Sequence, residues 1–360
     1  MTGFKVCIIG DNGSVHIQKW IKGISDYTNL EIHVITFDKG IKISGVTYHY
    51  MKVRMGNKLD YFLNSFFVKN EIKKIKPDVV HSHYATSNGF LGAFSGFHPL
   101  VITGWGADIF DSPKEYWMRK ILTYAFKKAD AITVLSEITR KEASKYTDKK
   151  IQLIPFGVDL EKFPSRKENT DGIIRIGTIR TLSEKYGVEY LIRAFASLSK
   201  KYENLKLEIV GDGPLRAALE NLVIELGIKN NVTFHGYVNQ NSEHEKYISL
   251  LTNFDIFAIL SIIDSETFGV AAIEASACEI PVVATKVGGL PGVIESEKTG
   301  ILVAPKNVDE TIKALERLIL DAELRKTMGK NGRKNVEEKY DWKENVNQMY
   351  LLYKSMLTKR

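Results

Sequence analysis

Two cysteines in 360 residues are too few for a disulfide framework. Cys7 and Cys278 lie in apolar segments of different halves, which predicts buried free thiols and a reducing compartment. No apolar run approaches the roughly 18 residues of a membrane-spanning helix. The N-terminal run, Phe4 to Ile9, is too short for a signal peptide and reads as a strand. A cytoplasmic location follows as the expectation. The loop Gly10-Asp11-Asn12-Gly13-Ser14 carries only two glycines, an incomplete dinucleotide fingerprint that argues against a cofactor-dependent dehydrogenase. No DxD-like acidic pair stands at a credible metal position, so neither a metal nor a cofactor is expected. For nucleic acid there is no fold motif and no aromatic-basic repeat.

What is present fits a folded chain of two domains, each large enough to bury a core. Hydrophobic residues make up 44% and charged residues 26% of the sequence. The net charge of +7 is unevenly placed: 22 Lys and Arg face 15 Asp and Glu over residues 1–160, and 28 face 28 over 161–360. A basic half suits an anionic membrane surface or a negatively charged acceptor better than nucleic acid. The same surplus can also serve solubility alone, so peripheral attachment at the inner face of a membrane stands beside a plain cytoplasmic location as an alternative.

In the first half, Phe4 to Ile9, the glycine loop, a helical pattern from Val15 to about Asp26 and a strand at Glu31 to Thr36 open a doubly wound sheet. Further strands are expected near Val46 to Tyr50, Asp78 to Ser82, Pro99 to Thr103, Asp130 to Val134 and Ile151 to Ile154. Strand and helix in alternation imply a largely parallel sheet, with functional residues at the carboxyl ends of its strands. Two such ends carry chemistry. In His81-Ser82-His83-Tyr84 the two histidines share a strand face, as a metal pair or as histidines satisfied at a strand end. In Thr103-Gly104-Trp105-Gly106-Ala107-Asp108 a tight turn presents an indole, either a platform for a ligand ring or a packing group, and Asp108 reads as a helix cap. His16, on the first helical turn, either faces an acceptor or stands exposed. The proline, the glycine and the polar stretch between Leu153 and Asp171 read as a linker.

The second half restarts with a strand at Ile173 to Gly177. Arg180 and Lys185 follow on a loop ahead of a helix from Val188 to about Lys200, two cations suited to a diphosphate. Leu205 to Val210 ends in Gly211-Asp212-Gly213-Pro214, a tight strand-to-helix turn, and Asn231 to Gly236 is a further strand. The most informative stretch is Ser265 to Thr285, SETFGVAAIEASACEIPVVAT. The strand Asp255 to Leu260 leads to a loop bearing Glu266, then to a helix with Glu274 near its first turns. The free N–H groups of a helix starting near Gly269 favour a phosphate, and two acids flanking it would accept bonds from hydroxyls on either side. Pro281 to Thr285 is a strand, Gly288-Gly289-Leu290-Pro291-Gly292 a turn, and from about Val308 the pattern is helical. Tyr340 and Trp342 read as core.

This stretch resembles the donor site of the retaining glycosyltransferases of family 4, and the likeness, in the order of its motifs, covers nearly the whole chain. It implies an α/β fold of GT-B type, two Rossmann-like doubly wound domains facing across a cleft. An acceptor-side domain would span 1–160 and a nucleotide-sugar donor domain 161–340, with a helix at 341–360 crossing back to the first. The activity implied is transfer of a sugar from a nucleotide-sugar donor to a hydroxyl of a sugar or lipid-linked acceptor, with retention and without a metal, as in surface polysaccharide or glycolipid assembly. By resemblance Arg180 and Lys185 hold the diphosphate, Glu266 meets donor-sugar hydroxyls and Glu274 holds the ribose. Gly13, Gly211, Phe268, Gly269 and Val270 complete the donor set. His83 matches the second histidine of the family's His-x-His, beside the donor sugar, and His16 and Trp105 fall to the acceptor. The chain departs from the family where Tyr186 follows Lys185 in place of glycine, and where Gly292 replaces a frequent glutamate. Rival readings are a nucleotide-sugar epimerase of the same architecture and a non-catalytic partner of a transferase.

Overall fold

The computed structural model describes residues 3–358 except Asn57, Lys167 and Asn241. The chain divides into two compact units, Met1–Phe156 with Trp342–Arg360, and Gly157–Asp341. In the first, seven strands form a parallel sheet: β1 Lys5–Ile9, β2 Glu31–Thr36, β3 Val46–Tyr50, β4 Val79–His83, β5 Leu100–Gly104, β6 Ala131–Val134 and β7 Ile151–Leu153. Their order, β3-β2-β1-β4-β5-β6-β7, reverses between β1 and β4. At such a reversal the loops leaving the two strands diverge to opposite faces, and a crevice opens at the carboxyl ends.

The helix Val15–Tyr27 buries Ile17, Trp20, Ile21 and Ile24, one face at helical spacing. The last helix, Trp342–Leu357, packs on it and buries Trp342, Val346, Met349 and Tyr353. Trp20 meets Trp342 edge-on at 4.7 Å. Tyr353 donates or accepts at His81 Nδ1 over 2.6 Å, and Thr103 takes His81 Nε2 at 2.6 Å. Both nitrogens of His81 are therefore engaged inside the unit, which removes it as a metal ligand.

The second unit carries six strands: β8 Ile174–Ile179, β9 Leu205–Val210, β10 Val232–Gly236, β11 Ile256–Ile259, β12 Val282–Thr285 and β13 Gly300–Val303. The order β10-β9-β8-β11-β12-β13 reverses between β8 and β11. The helix Val188–Ser199 covers this sheet with Val188, Leu191, Ile192, Phe195 and Leu198, against Leu207, Ile209 and Ala258. Burying side chains of this size contributes roughly 1.5–3 kcal/mol each. The strand β13 has no counterpart among the sequence expectations, because four residues of short apolar run carry no period.

Within the polar stretch expected as linker, two residues are fastened to the second unit: Arg166 donates to the carbonyl of Phe254 at 2.7 Å and pairs with Asp255, and Asn169 reaches the carbonyl of Asn253 at 3.0 Å. Ser165, Glu168, Thr170 and Asp171 stay exposed. No helix among the described residues is long and apolar enough to cross a membrane. Replacing Asp255 by Ala would strand the Arg166 guanidinium, 13% exposed, without its carboxylate. A loss of about 3–5 kcal/mol is expected, read by urea unfolding of the second unit's transition.

Candidate functional site

Because β8 and β11 are neighbouring parallel strands, the loops leaving them start side by side before they diverge. Arg180 leaves β8 and Glu266 follows β11, and Arg180 Nη2 donates to Glu266 Oε2. Ser261, fully buried, donates Oγ to the same carboxylate oxygen at 3.0 Å and receives Arg180 Nη2 at 3.3 Å. The Arg180 guanidinium lies 4.1 Å from the centroid of Tyr186, and Lys185 Nζ lies 4.7 Å from the same ring. The residue that departs from the family pattern thus holds both cations against one ring.

Backbone bonds fix both loops. Arg180 N–H donates to the carbonyl of Val210 at 2.9 Å, and Leu182 N–H to that of Asp212 at 2.9 Å. Gly211, at φ +136°, has the Arg180 carbonyl oxygen 1.8 Å from where a Cβ would stand. The Gly-Asp-Gly-Pro turn is thus the rest on which the Arg180 loop lies. Gly288, at φ +53°, plays the same part for Glu266, whose carbonyl oxygen would be 2.0 Å from a Cβ. Gly289 N–H donates to that carbonyl at 2.7 Å. Any side chain at either glycine would push out the loop it supports.

Gly269 stands at the N-cap of the helix Val270–Ala277, with no side chain capping it. Val270 is half-buried. Phe268 is buried and meets Tyr340 edge-on at 5.6 Å, so its ring packs within the unit. Glu274, in the second turn, is held by a separate set: Tyr247 donates its hydroxyl to Oε2 at 2.6 Å and Gln240 donates Nε2 to Oε1 at 2.9 Å. Burial first, and the Glu274 charge second, push the Tyr247 phenol well above its ordinary range, which keeps it a donor. Burial also drives the Cys278 thiol up to about 12, and both cysteines are buried and free.

In the first unit the candidate residues collect at the carboxyl ends of the strands. His16 is exposed, with its ring 6.0 Å from Trp105 and 5.1 Å from Phe156. Trp105 is buried, 5.6 Å from the His83 ring and stacked on Tyr84 at 5.6 Å; its indole is packed rather than presented as a platform. His83 ends β4 fully buried, and neither ring nitrogen has a hydrogen-bond partner. Burial brings it down to about 3, a neutral imidazole. Gly13 lies in an exposed turn, its N–H donating to Asp11 Oδ1 at 2.9 Å. Asp108 is no helix cap: its carboxylate accepts from the N–H groups of Ala85, Trp105 and Gly106 at 2.7–3.0 Å, tying two strand-end loops together.

Sequence reasoning missed Ser261, Tyr247 and Gln240, whose contacts come from tertiary packing. Only Ser261 left a trace, as a polar residue ending an apolar strand. Among the described residues no group of three or more His, Cys, Asp and Glu has the geometry to hold a metal ion.

Residues 159–335 match the family model described as glycosyl transferases group 1, and residues 5–136 match that described as glycosyl transferase 4-like. An uncharacterized glycosyltransferase of Methanocaldococcus jannaschii is 30% identical over 356 residues, which cover 88% of this chain and 88% of that one. Among solved structures, sucrose-phosphate synthase from Thermosynechococcus elongatus has a TM-score of 0.83 at 21% identity, covering 99% of this chain and 100% of its own. Anabaena HepE in complex with UDP has a TM-score of 0.81 at 19% identity, covering 98% and 100%. The common architecture is GT-B.

The buried neutral histidines make stability depend on pH. With a folded value depressed below the unfolded one near 6.5, His83 contributes stability that is present above that pH and is lost as pH falls. About 2 kcal/mol should go between pH 7 and pH 5. The check is denaturant unfolding at both pH values for the wild type and His83→Asn, whose loss should be smaller by that amount.

Proposed function

The chain belongs to the group 1 glycosyl transferases, of family-4 type and GT-B fold, and from that premise we propose that it is a retaining, metal-independent transferase. It moves a sugar from a nucleoside diphosphate donor to an acceptor hydroxyl. The observation that carries the reading is the cluster at the reversal between β8 and β11, where Arg180, Ser261, Glu266 and the cation-bearing ring of Tyr186 converge. HepE was solved with UDP, and a nucleoside diphosphate is the class of ligand we assign to this cluster.

In this reading the diphosphate sits against Arg180, Lys185 and the amides that open the helix at Val270, near Gly269 and the Gly211 turn. As the bond from the anomeric carbon to the phosphate oxygen breaks, the electron pair stays on the phosphate. The two cations and the helix start stabilise that growing charge in the way a divalent ion would. The acceptor oxygen bonds to the anomeric carbon from the face the phosphate leaves, and its proton passes to a phosphate oxygen. Glu266 orients hydroxyls of the donor sugar, and Glu274, held by Tyr247 and Gln240, takes the ribose. To the first unit the reading assigns the acceptor, through His16 and the rings around Trp105. His83, with free ring nitrogens and no charge, bonds a sugar hydroxyl. The basic first half supports an anionic or lipid-linked acceptor, as in assembly of a surface polysaccharide or glycolipid.

A thermal-shift panel of nucleotides and nucleotide sugars identifies the donor, since a ligand that binds the folded state raises its stability. With that donor, Arg180→Gln and Lys185→Gln should each lower kcat by roughly a hundredfold or more. Glu274→Ala should weaken donor binding, and by leaving the buried Tyr247 hydroxyl without its acceptor it should also cost about 1–3 kcal/mol of stability. Unchanged turnover in the first pair, or a product of inverted configuration by NMR, would falsify the mechanism.

A further inference from the structure

The helix Leu59–Ile75 of the first unit is turned the wrong way for a helix that only covers a sheet. Its first half buries Asp60, Asn64 and Ser65, while Phe62, Leu63 and Phe66 point outward, 45%, 43% and 68% exposed. The buried polar groups hold the preceding loop. Asp60 accepts from the N–H groups of Arg54, Met55 and Gly56 at 2.8–3.2 Å, and Asn64 bonds both the N–H and the carbonyl of Lys52. This bracing leaves Val53 and Met55 exposed at 63% and 57%.

A second element extends the same face. The helix Tyr116–Lys128 opens with Tyr116 and Trp117, 61% and 75% exposed. Both helices flank the helix Asn88–Ser95. Phe62 meets Phe90 at a tilt at 4.7 Å, Phe66 meets Phe94 edge-on at 5.3 Å, and Phe90 meets Tyr124 at 6.3 Å. Lys58 reaches Glu115 at 3.5 Å and links the two helix starts.

The rim of this apolar face is basic. Residues 52–76 carry seven Lys and Arg against two acids, one of them the buried Asp60, and 114–128 carry five against one. Lys69 lies 5.9 Å over Phe94 and Lys120 lies 5.4 Å over Tyr116, so two ammonium groups sit beside rings of this face. A second copy of the chain is a poor occupant. A two-fold interface would set this basic rim against itself.

We propose that this face docks the protein on an anionic phospholipid bilayer. The Trp, Tyr and Phe rings seat at the depth of the headgroups, and the surrounding lysines meet lipid phosphates. The inference deepens the reading of a lipid-linked acceptor but draws nothing from the donor cluster, so the two are tested apart.

The test is flotation of the full chain with vesicles of phosphatidylcholine containing phosphatidylglycerol, and with phosphatidylcholine alone. Binding to the mixed vesicles at low salt, weakened by high salt, is expected. The combined variant Phe66→Ser with Trp117→Ser should lower the partition about tenfold, and Lys58→Glu with Lys120→Glu by a similar factor. Because these side chains are exposed, the thermal shift given by the nucleotide-sugar donor should be unchanged in both variants, which separates lost docking from lost folding. No flotation of the wild type, or flotation indifferent to both variants, overturns the proposal. So does a wild-type dimer in light scattering that the Ser variant dissociates, since that assigns the face to a second copy.

Discussion

A guanidinium and a carboxylate that are each about nine-tenths buried hold only as a pair, and Arg180 with Glu266 is such a pair, at 10% and 11% exposure. Removing either would leave the other charged and desolvated, at a cost of about 3–5 kcal/mol. The pair exists because β8 and β11 are neighbouring parallel strands, which starts the loops leaving them side by side. Neighbouring turns then fix the height of those loops: Gly211 lies beneath Arg180 and Gly288 beneath Glu266, where a Cβ would meet carbonyl oxygens at 1.8 and 2.0 Å. With the backbone this constrained, a ligand has side-chain partners to exchange but no loop to move, which favours electrostatic stabilisation.

The two units follow one plan and use it with different chemistry. In each, the candidate residues stand where strands end beside a reversal of order. The second unit places ionised groups there. The first places a neutral buried imidazole and a set of rings, His83, Trp105, His16 and Phe156. The location of net charge runs the other way: the first half is basic and the second is balanced. Much of the basic surplus lies on the outer faces of the helices Leu59–Ile75 and Tyr116–Lys128, away from the strand ends. The charge of a whole half therefore describes what its outer surface meets, and the charge at a strand end describes what its site holds.

Much of this was legible in the residues. Strand, glycine loop and helix in alternation implied the sheets, and the family resemblance named Arg180, Lys185, Glu266 and Glu274, of which Arg180 and Glu266 pair while Glu274 is held by a separate set. What was hidden depends on contacts between residues far apart. Tyr247 and Gln240 reach Glu274 from 27 and 34 positions away, and a tyrosine on an ordinary amphipathic helix gives no sign of its target. Composition also hides which polar side chains the fold holds. The stretch 165–171 has the residues of a linker, but Arg166 and Asn169 are satisfied by Asp255 and neighbouring carbonyls. The helix Leu59–Ile75 is the converse case, with Phe62 and Phe66 outside and Asp60 and Asn64 inside, because the polar groups brace a loop.

Under the proposed function, the Arg180–Glu266 pair also shapes how a donor enters. A diphosphate offers the guanidinium two anionic oxygens in place of one carboxylate, so an incoming donor competes for a cation that is already held in place. When Arg180 turns to the phosphate, Glu266 loses its strongest partner and keeps Ser261. Its freed lone pairs then face the sugar side of the same ligand, whose hydroxyls are the donors that can satisfy them. Arg180 and Glu266 thus stay solvated by each other until a molecule arrives with an anion for one and hydroxyls for the other. A free phosphate supplies the anion and leaves the carboxylate short of a partner, a buried acceptor that costs free energy. Discrimination in favour of a nucleotide sugar over its diphosphate fragment follows from the same two side chains.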